Sequence, residues 1–308
     1  MEGLRIAVVS HDYPTEQSHG GAFVQARVDL YRKMGHQVDV FSRRISSPQS
    51  SPTKAGYDVI AAHYPLPEFV IPKALSLAEA TPIVAYLHGA ESIRRGFPTP
   101  YRLRVKREVS RFLPRCRARV VPSKWMAEKV MEYIGFGSTV IPNPIDPGLF
   151  RLAPAPQEIR GLCLRGTANK YGVDVLRKAL RHLPSEAKVT ILEPKYARSD
   201  LPALLSKYSY FIAPSRVEAQ GLMMCEAMAT GMPVITTRAG CIPEFVTNGD
   251  GIFIDELTPN GVATAIQAMH RRLPLDSGSR EGIRRRILER CGPAVTVEKD
   301  IALFAGLG

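Results

Sequence analysis

The chain has 308 residues, 45% of them hydrophobic and 23% charged, with 24 Gly and 25 Pro. That is enough for two domains of about 150 residues, each with its own core, and it excludes a disordered or collagen-like chain. Its 41 Lys+Arg against 29 Asp+Glu leave a net charge of +12, which points to an anionic partner: nucleic acid, a membrane surface or a phosphorylated substrate.

The chain opens directly on a β-branched strand pattern at 5–9, with no basic leader before an apolar run, so a cytoplasmic protein is expected. The longest apolar runs are strand-sized and far short of a membrane span. Gly20 and Gly21 precede a helix expected over 22–34. There Phe23, Val24, Val28, Leu30 and Tyr31 approximate a 3.6 period, and Gly35 stops it. Strands are expected at 37–41, 57–61, 82–87, 118–121 and 139–141. Between Arg94 and Arg119 lie ten basic residues and one acid, Glu108. Within that block, 101–113 reads as a basic helix with an apolar stripe of Leu103, Val105, Val109, Phe112 and Leu113.

A proline-rich break follows, at Asn143-Pro144-Ile145-Asp146-Pro147-Gly148 and Pro154-Ala155-Pro156. Beyond it, strands are expected at 159–164, 188–192, 210–213, 233–236 and 252–254, and helices at 173–183, 261–272 and 282–290. The alternation predicts an α/β chain of two Rossmann-like, doubly wound parallel-sheet domains, 1–150 and 151–292, with an interdomain cleft. A C-terminal helix, 293–308, is expected to pack back on the first. In such sheets ligands sit at the carboxyl ends of the strands. The five cysteines (Cys116, Cys163, Cys225, Cys241, Cys291) contain no C-x-x-C pair and read as reduced thiols.

The chemistry concentrates in 213–234. A strand ends at Ala213, a turn carries Glu218, and a helix begins near Gly221 with Glu226 inside it. The first-turn amides of a helix are positively polarised and bind anions or hydroxyls. Two carboxylates eight residues apart, both acceptors, suit a ligand rich in hydroxyls. From the two residues alone, a loop acid and a solvated helical Glu remain the alternative.

The surrounding residues carry a resemblance. Pro214-Ser215 stands before the first Glu, Gly221 three after it, Glu226-Ala227-Met228-Ala229 at the second, then Gly231-Met232-Pro233-Val234. Gly240-Cys241-Ile242-Pro243-Glu244 and Asn248-Gly249-Asp250-Gly251 follow. This pattern resembles the E-x(7)-E signature of retaining glycosyltransferases with the GT-B fold, glycosyltransferase family 4. Gly20-Gly21, Gly35-His36, Asp58 to His63, Pro82 to His88-Gly89, Val121-Pro122-Ser123 and Pro142-Asn143 resemble further landmarks in order, with Pro144 replacing a usual Gly.

The resemblance implies a hexosyltransferase-type enzyme that moves a sugar from a nucleotide diphosphate-sugar to an acceptor hydroxyl, retaining configuration and needing no cofactor or metal. Arg165 and Lys170 resemble the family's basic pair and would clamp the diphosphate. Glu226 would hold the ribose. Glu218 and the amides of Gln220, Gly221 and Leu222 would hold the sugar, while Gly20, Gly21 and His88 would serve from the first domain. His88, Glu218 and Lys170 are the implied catalytic set. His11 and His63 are left outside the site, and base contacts are expected in 192–200, with Tyr196 as a stacking candidate.

No D-x-D tripeptide and no P-loop occurs, which counts against the metal-bound glycosyltransferase fold and P-loop NTPases, and no G-x-G-x-x-G follows the first strand, which excludes dinucleotide dehydrogenases. The acceptor is left open among a glycan, a lipid-linked molecule and a small molecule. The block between Arg94 and Arg119 carries no nucleic-acid motif; an anionic membrane surface and an ordinary solvated helix are its two main readings, with nucleic acid the third, and the first implies a peripheral protein on the inner membrane face. A nucleotide-sugar-binding regulator or inactive paralogue, or an epimerase or phosphorylase on the same fold, remain alternatives.

Overall fold

A computed structural model of the chain describes residues 3–14, 21–43, 56–89, 99–166, 168–193 and 197–307. It divides into Met1–Pro144 with Pro293–Gly308, and Ile145–Gly292. The break thus precedes the boundary expected at residue 150. The Ile145 amide donates to the Cys291 carbonyl at 2.8 Å, and Phe150 is buried with the Arg284 guanidinium on its carbonyl, so 145–150 belongs with the second unit.

The first unit runs β1 (Arg5–Ser10), α1 (Ala22–Lys33), β2 (Gln37–Ser42), β3 (Val59–His63), α2 (Val70–Leu77), β4 (Ile83–Tyr86), α3 (Thr99–Phe112), β5 (Ala118–Val121), α4 (Lys124–Ile134) and β6 (Thr139–Val140). Its sheet has the order β2-β1-β3-β4-β5-β6, all parallel. Strands β3 and β4 are buried at every residue, as β-branched and small apolar runs covered on both faces should be. The order reverses at β1, so the ends of β1 and β3, where Ser10 pairs with His63, form the switch point at which such sheets bind ligands.

The expected strand at 57–61 lies two residues later. Asp58 instead ties the sheet's entry: its amide donates to the Arg5 carbonyl at 2.9 Å and its carboxylate accepts from the Arg5 amide at 2.6 Å. His63 therefore ends the strand. Helices α2 and α4 were not among the expected elements, although Ser123 caps α4 by accepting the Met126 amide at 3.2 Å. In α3, Val105, Val109 and Phe112 are buried and Leu113 follows them inward, while Leu103 stays 60% exposed. The apolar stripe serves the unit's own core.

The second unit runs β7 (Gly161–Leu164), α5 (Val173–Ala179), β8 (Val189–Leu192), α6 (Leu201–Leu205), β9 (Tyr210–Ala213), α7 (Leu222–Ala229), β10 (Val234–Thr236), α8 (Ile242–Phe245), β11 (Gly251–Phe253), α9 (Pro259–Arg272) and α10 (Ser277–Cys291). Its parallel sheet has the order β11-β10-β9-β7-β8, with the reversal between β7 and β9. The helix expected over 173–183 ends at Ala179 and tightens into a 3₁₀ turn, Leu180–His182.

After α10 the chain rejoins the first unit as α11 (Val297–Ala305), seating Val297 and Phe304 in that core. One buried polar cluster fixes it. Asp300 pairs with the guanidinium of Arg27 from α1 and accepts from Tyr31 at 2.7 Å and Tyr86 at 2.8 Å; Arg27 also reaches the Pro142 carbonyl at 3.0 Å. Arg27 is 1% exposed and Asp300 fully buried. Removing one partner of such a pair leaves an uncompensated buried charge. Asp300→Ala should destabilise the first unit by about 3–5 kcal/mol, while Lys299→Ala on the exposed side of α11 should stay within about 0.5 kcal/mol. Urea denaturation of both variants checks this.

Candidate active site

The loop between β9 and α7 is built to hold Glu218. Ser215 is buried and donates its hydroxyl to Glu218 Oε1 at 3.1 Å. Arg165, the first residue past β7, places its guanidinium on the same oxygen at 2.8 Å. Gly240 adopts φ +61°, and a Cβ there would meet the Glu218 carbonyl oxygen at 2.2 Å, so only glycine allows this approach. The next residue, Cys241, donates its amide to that carbonyl at 3.2 Å. Gly221, at φ +70°, then turns the chain into α7, whose first turn begins at Leu222.

Lys170 lies on a 3₁₀ turn, Asn169–Tyr171, that is tied to this loop. The Arg216 amide donates to the Lys170 carbonyl at 2.8 Å, and the Arg216 guanidinium forks onto Asp174 with two contacts of 2.8 Å. That fork holds the Asp174 carboxyl below its usual range. The Lys170 ammonium is 4.8 Å from the Tyr171 ring centroid and the Arg165 guanidinium 5.3 Å from the same centroid. Glu218, distant in sequence from Arg165 and Lys170, is thus gathered with them at the switch point of the second sheet.

Glu226 is not a solvated helical residue. It is 5% exposed, and Arg198 holds its Oε1 at 2.8 Å while lying 5.3 Å from the centroid of Phe150. Burial raises the Glu226 pKa, with the Arg198 charge opposing the shift. A carboxylate kept buried at such a cost is a functional signal. The sequence reading missed Arg198; its one cue was a cation within the loop expected to meet the base. Tyr196 lies outside the described residues.

Gln220 directs its side chain inward, donating from Nε2 to Cys291 Sγ at 3.6 Å, so its implied role falls to its backbone. In the first unit, Gly21 precedes α1 in the left-handed region (φ +80°), against Asp12, and Gly20 lies outside the described residues. His88, two residues beyond β4, is half-buried beside Phe23 and Tyr64, with ring centroids 4.4 and 4.9 Å away. Its Nε2 lies 3.0 Å from Nδ1 of His63, a residue the sequence reading set aside. Burial first, then the charge of Arg27, holds the His88 pKa well below the ordinary histidine value; burial, His88 and Arg27 do the same at His63. Both rings are neutral at neutral pH.

The Arg198–Glu226 pair yields a pH-dependent expectation. Arg198→Met removes the opposing charge, so the raised Glu226 pKa rises further. A raised carboxyl pKa gives stability below the unfolded value that is lost as pH rises through the folded one. The variant should lose about 3 kcal/mol near pH 8 and distinctly less near pH 5. Urea midpoints of wild type and variant at the two pH values check this.

Residues 161–272 match the family described as Glycosyl transferases group 1, and residues 52–149 match Glycosyltransferase Family 4. A phosphatidyl-myo-inositol mannosyltransferase of Propionibacterium freudenreichii is 26% identical over 248 residues, 71% of this chain and 62% of that protein. The chain spans less than two thirds of the length of the curated relatives it matches. The fold is similar to sucrose-phosphate synthase of Thermosynechococcus elongatus, with a TM-score of 0.79 over 99% of both chains at 16% identity. Anabaena HepE, solved in complex with UDP-glucose, gives a TM-score of 0.71 over 99% of this chain and 100% of that one, also at 16% identity. With the Glu218–Glu226 segment inside one matched region and His63 and His88 inside the other, the chain belongs to the family 4, group 1 glycosyltransferases of GT-B fold.

Proposed function

We propose that the protein transfers a sugar from a nucleotide diphosphate-sugar to an acceptor hydroxyl, with retention of anomeric configuration and without a metal ion. The observation that carries this reading is the pair of carboxylates Glu218 and Glu226, each held by an arginine whose side chain is 9% exposed, within the second unit. Glu226 holds the ribose hydroxyls. Arg165 and Lys170 bind the diphosphate; the Arg165 Nε–H is buried without a partner among the described residues, a donor that a phosphate oxygen would satisfy. Glu218 and the backbone from Gln220 to Leu222 hold the sugar, and the resemblance implies His88 as a further sugar contact.

The chemical step places growing negative charge on the departing diphosphate, where two cations stabilise it more in the transition state than in the ground state. The departing phosphate accepts the proton of the attacking hydroxyl on the same face of the sugar. The UDP-glucose complex of the similarly folded HepE supports a nucleotide-sugar donor.

A panel of UDP-, GDP-, ADP- and dTDP-sugars should raise the melting temperature for one base, since a donor at about 100 times its Kd adds about 2.7 kcal/mol. Glu218→Ala should lower kcat/KM for transfer by roughly a hundredfold with the donor still bound, and a chelator should leave the rate unchanged. No thermal shift with any donor overturns the reading.

The acceptor is proposed to lie at an anionic surface. Helix α3 turns its apolar residues into the core and leaves Arg104, Arg107 and Arg111 exposed beside Leu103, which fits electrostatic contact without insertion. Among the described residues no helix is long and apolar enough to cross a membrane. The chain should float with vesicles containing about one third phosphatidylglycerol at low salt and be released at about 0.5 M NaCl. Arg104→Glu with Arg107→Glu should abolish flotation.

A further inference from the structure

Arg165 and Lys170 are held in different ways. Arg165 follows β7 directly, is buried, and meets Glu218 at 2.8 Å. Lys170 is exposed on a short 3₁₀ turn and carries its charge at the end of a flexible four-carbon stem. The backbone of that turn is pinned. The Lys170 carbonyl accepts the Arg216 amide at 2.8 Å, and the Tyr171 amide donates to the Ala168 carbonyl at 2.9 Å. Gly172, at φ +65°, comes so close to the loop after β9 that a Cβ there would meet the Pro214 carbonyl oxygen at 1.9 Å.

A pinned backbone still leaves the ammonium to be placed. Among the described residues the Lys170 side chain meets no carboxylate; it meets the Tyr171 ring, with 4.8 Å from Nζ to the centroid. The Arg165 guanidinium lies 5.3 Å from the same centroid. The ring has a seat of its own. It packs against the core that contains Val173, Leu176 and Ile212, and a Cβ on Gly166 would stand 4.0 Å from its Cε2. The Tyr171 hydroxyl makes no hydrogen bond with a described residue, so the ring face and not the polar tip is what the site uses. An aromatic face attracts a cation within about 6 Å of its centroid through the ring quadrupole.

We propose that Tyr171 is a positioning residue for Lys170: its ring holds the ammonium where Arg165 also reaches, so that both cations meet the diphosphate together. Two cations brought to one place repel, and the negative ring face offsets part of that repulsion before the anion arrives. The seat also limits the rotamers that the lysine gives up on binding. The inference rests on the reading of Arg165 and Lys170 as ligands of the diphosphate.

The test begins with the unaltered protein. The ε-methylene protons of Lys170, assigned by their loss in Lys170→Ala, should resonate upfield of those of the other lysines because of the ring current. Tyr171→Leu keeps an apolar side chain on the core and should return them to the common position, whereas Tyr171→Phe should not. With the nucleoside diphosphate whose base the thermal panel identifies, Tyr171→Leu should raise Kd about threefold to tenfold, and Tyr171→Phe should stay within about twofold. Mono-, di- and trifluorinated phenylalanine at this position should weaken binding stepwise, since each fluorine drains the ring face at nearly constant shape. In a Lys170→Ala background, Tyr171→Leu should add less than about twofold, because the ring acts through that ammonium. Unshifted Lys170 protons in the unaltered protein overturn the proposal, as does wild-type affinity in Tyr171→Leu. Equal losses in the Leu and Phe variants, a flat fluorine series, or full additivity with Lys170→Ala also overturn it, since each marks packing alone. Wild-type affinity in Lys170→Ala would instead sink the diphosphate reading, while the ring-current shift still decides the seat.

Discussion

The buried ion pair between Arg27 and Asp300 is the constraint on which the first unit depends. Two charges removed from water are tolerated only when their remaining hydrogen-bonding capacity is met. Here Asp300 takes Tyr31 and Arg27 on one oxygen and Tyr86 on the other, and Arg27 adds the Pro142 carbonyl. Burial pushes the Tyr86 pKa up to about 12, so its hydroxyl remains a donor across the physiological range. The pair joins α1, β4 and α11, and through the Tyr86 ring it reaches the stacked rings of His63 and His88. A structural salt bridge and a candidate sugar contact thus form one continuous chain of side chains.

In the second unit, arginine plays a different part. Arg272 donates to the carbonyls of Asn248, Gly249 and Gly251, at 3.3, 3.0 and 3.1 Å respectively; Arg284 takes those of Pro147, Phe150 and Ala229; and Arg280 reaches Ala153 at 2.6 Å. A guanidinium has five donors in a fixed fork and can satisfy several carbonyls that turns and helix ends leave open. Carbonyl partners do not cancel its charge. Part of the +12 surplus is therefore internal carpentry, and the surplus is a weaker pointer to an anionic ligand than its size suggests. The pair that does point to one, Arg165 and Lys170, sits with Tyr171 and Glu218 at a sheet reversal.

Much of this was legible along the chain. The alternation of β-branched runs with helical periods indicated two parallel sheets, because strands buried on both faces must be apolar throughout and crossovers must be helical. The run from Pro214 to Val234 marked a candidate site through its resemblance to glycosyltransferase family 4, since the spacing of Glu218 and Glu226 alone left a loop acid and a solvated helical Glu as the alternative. Less visible were α2 and α4, whose apolar faces are short and interrupted, and the exact start of β3, which Asp58 delays by bonding Arg5.

Pairwise partners over long separations were not legible at all. That Arg198 covers Glu226, that His63 and not only His88 belongs to the strand-end cluster, and that Asp300 closes on Arg27 each depend on residues brought together by sheet order and register. Local pattern records which face a residue presents and what its neighbours on the chain allow. Burial, the partner of each charge and the direction of each pKa shift arise only when distant strands are laid side by side. The family and the carboxylate pair were therefore written in the order of residues, while the electrostatic state of those carboxylates and of His88 was decided by packing.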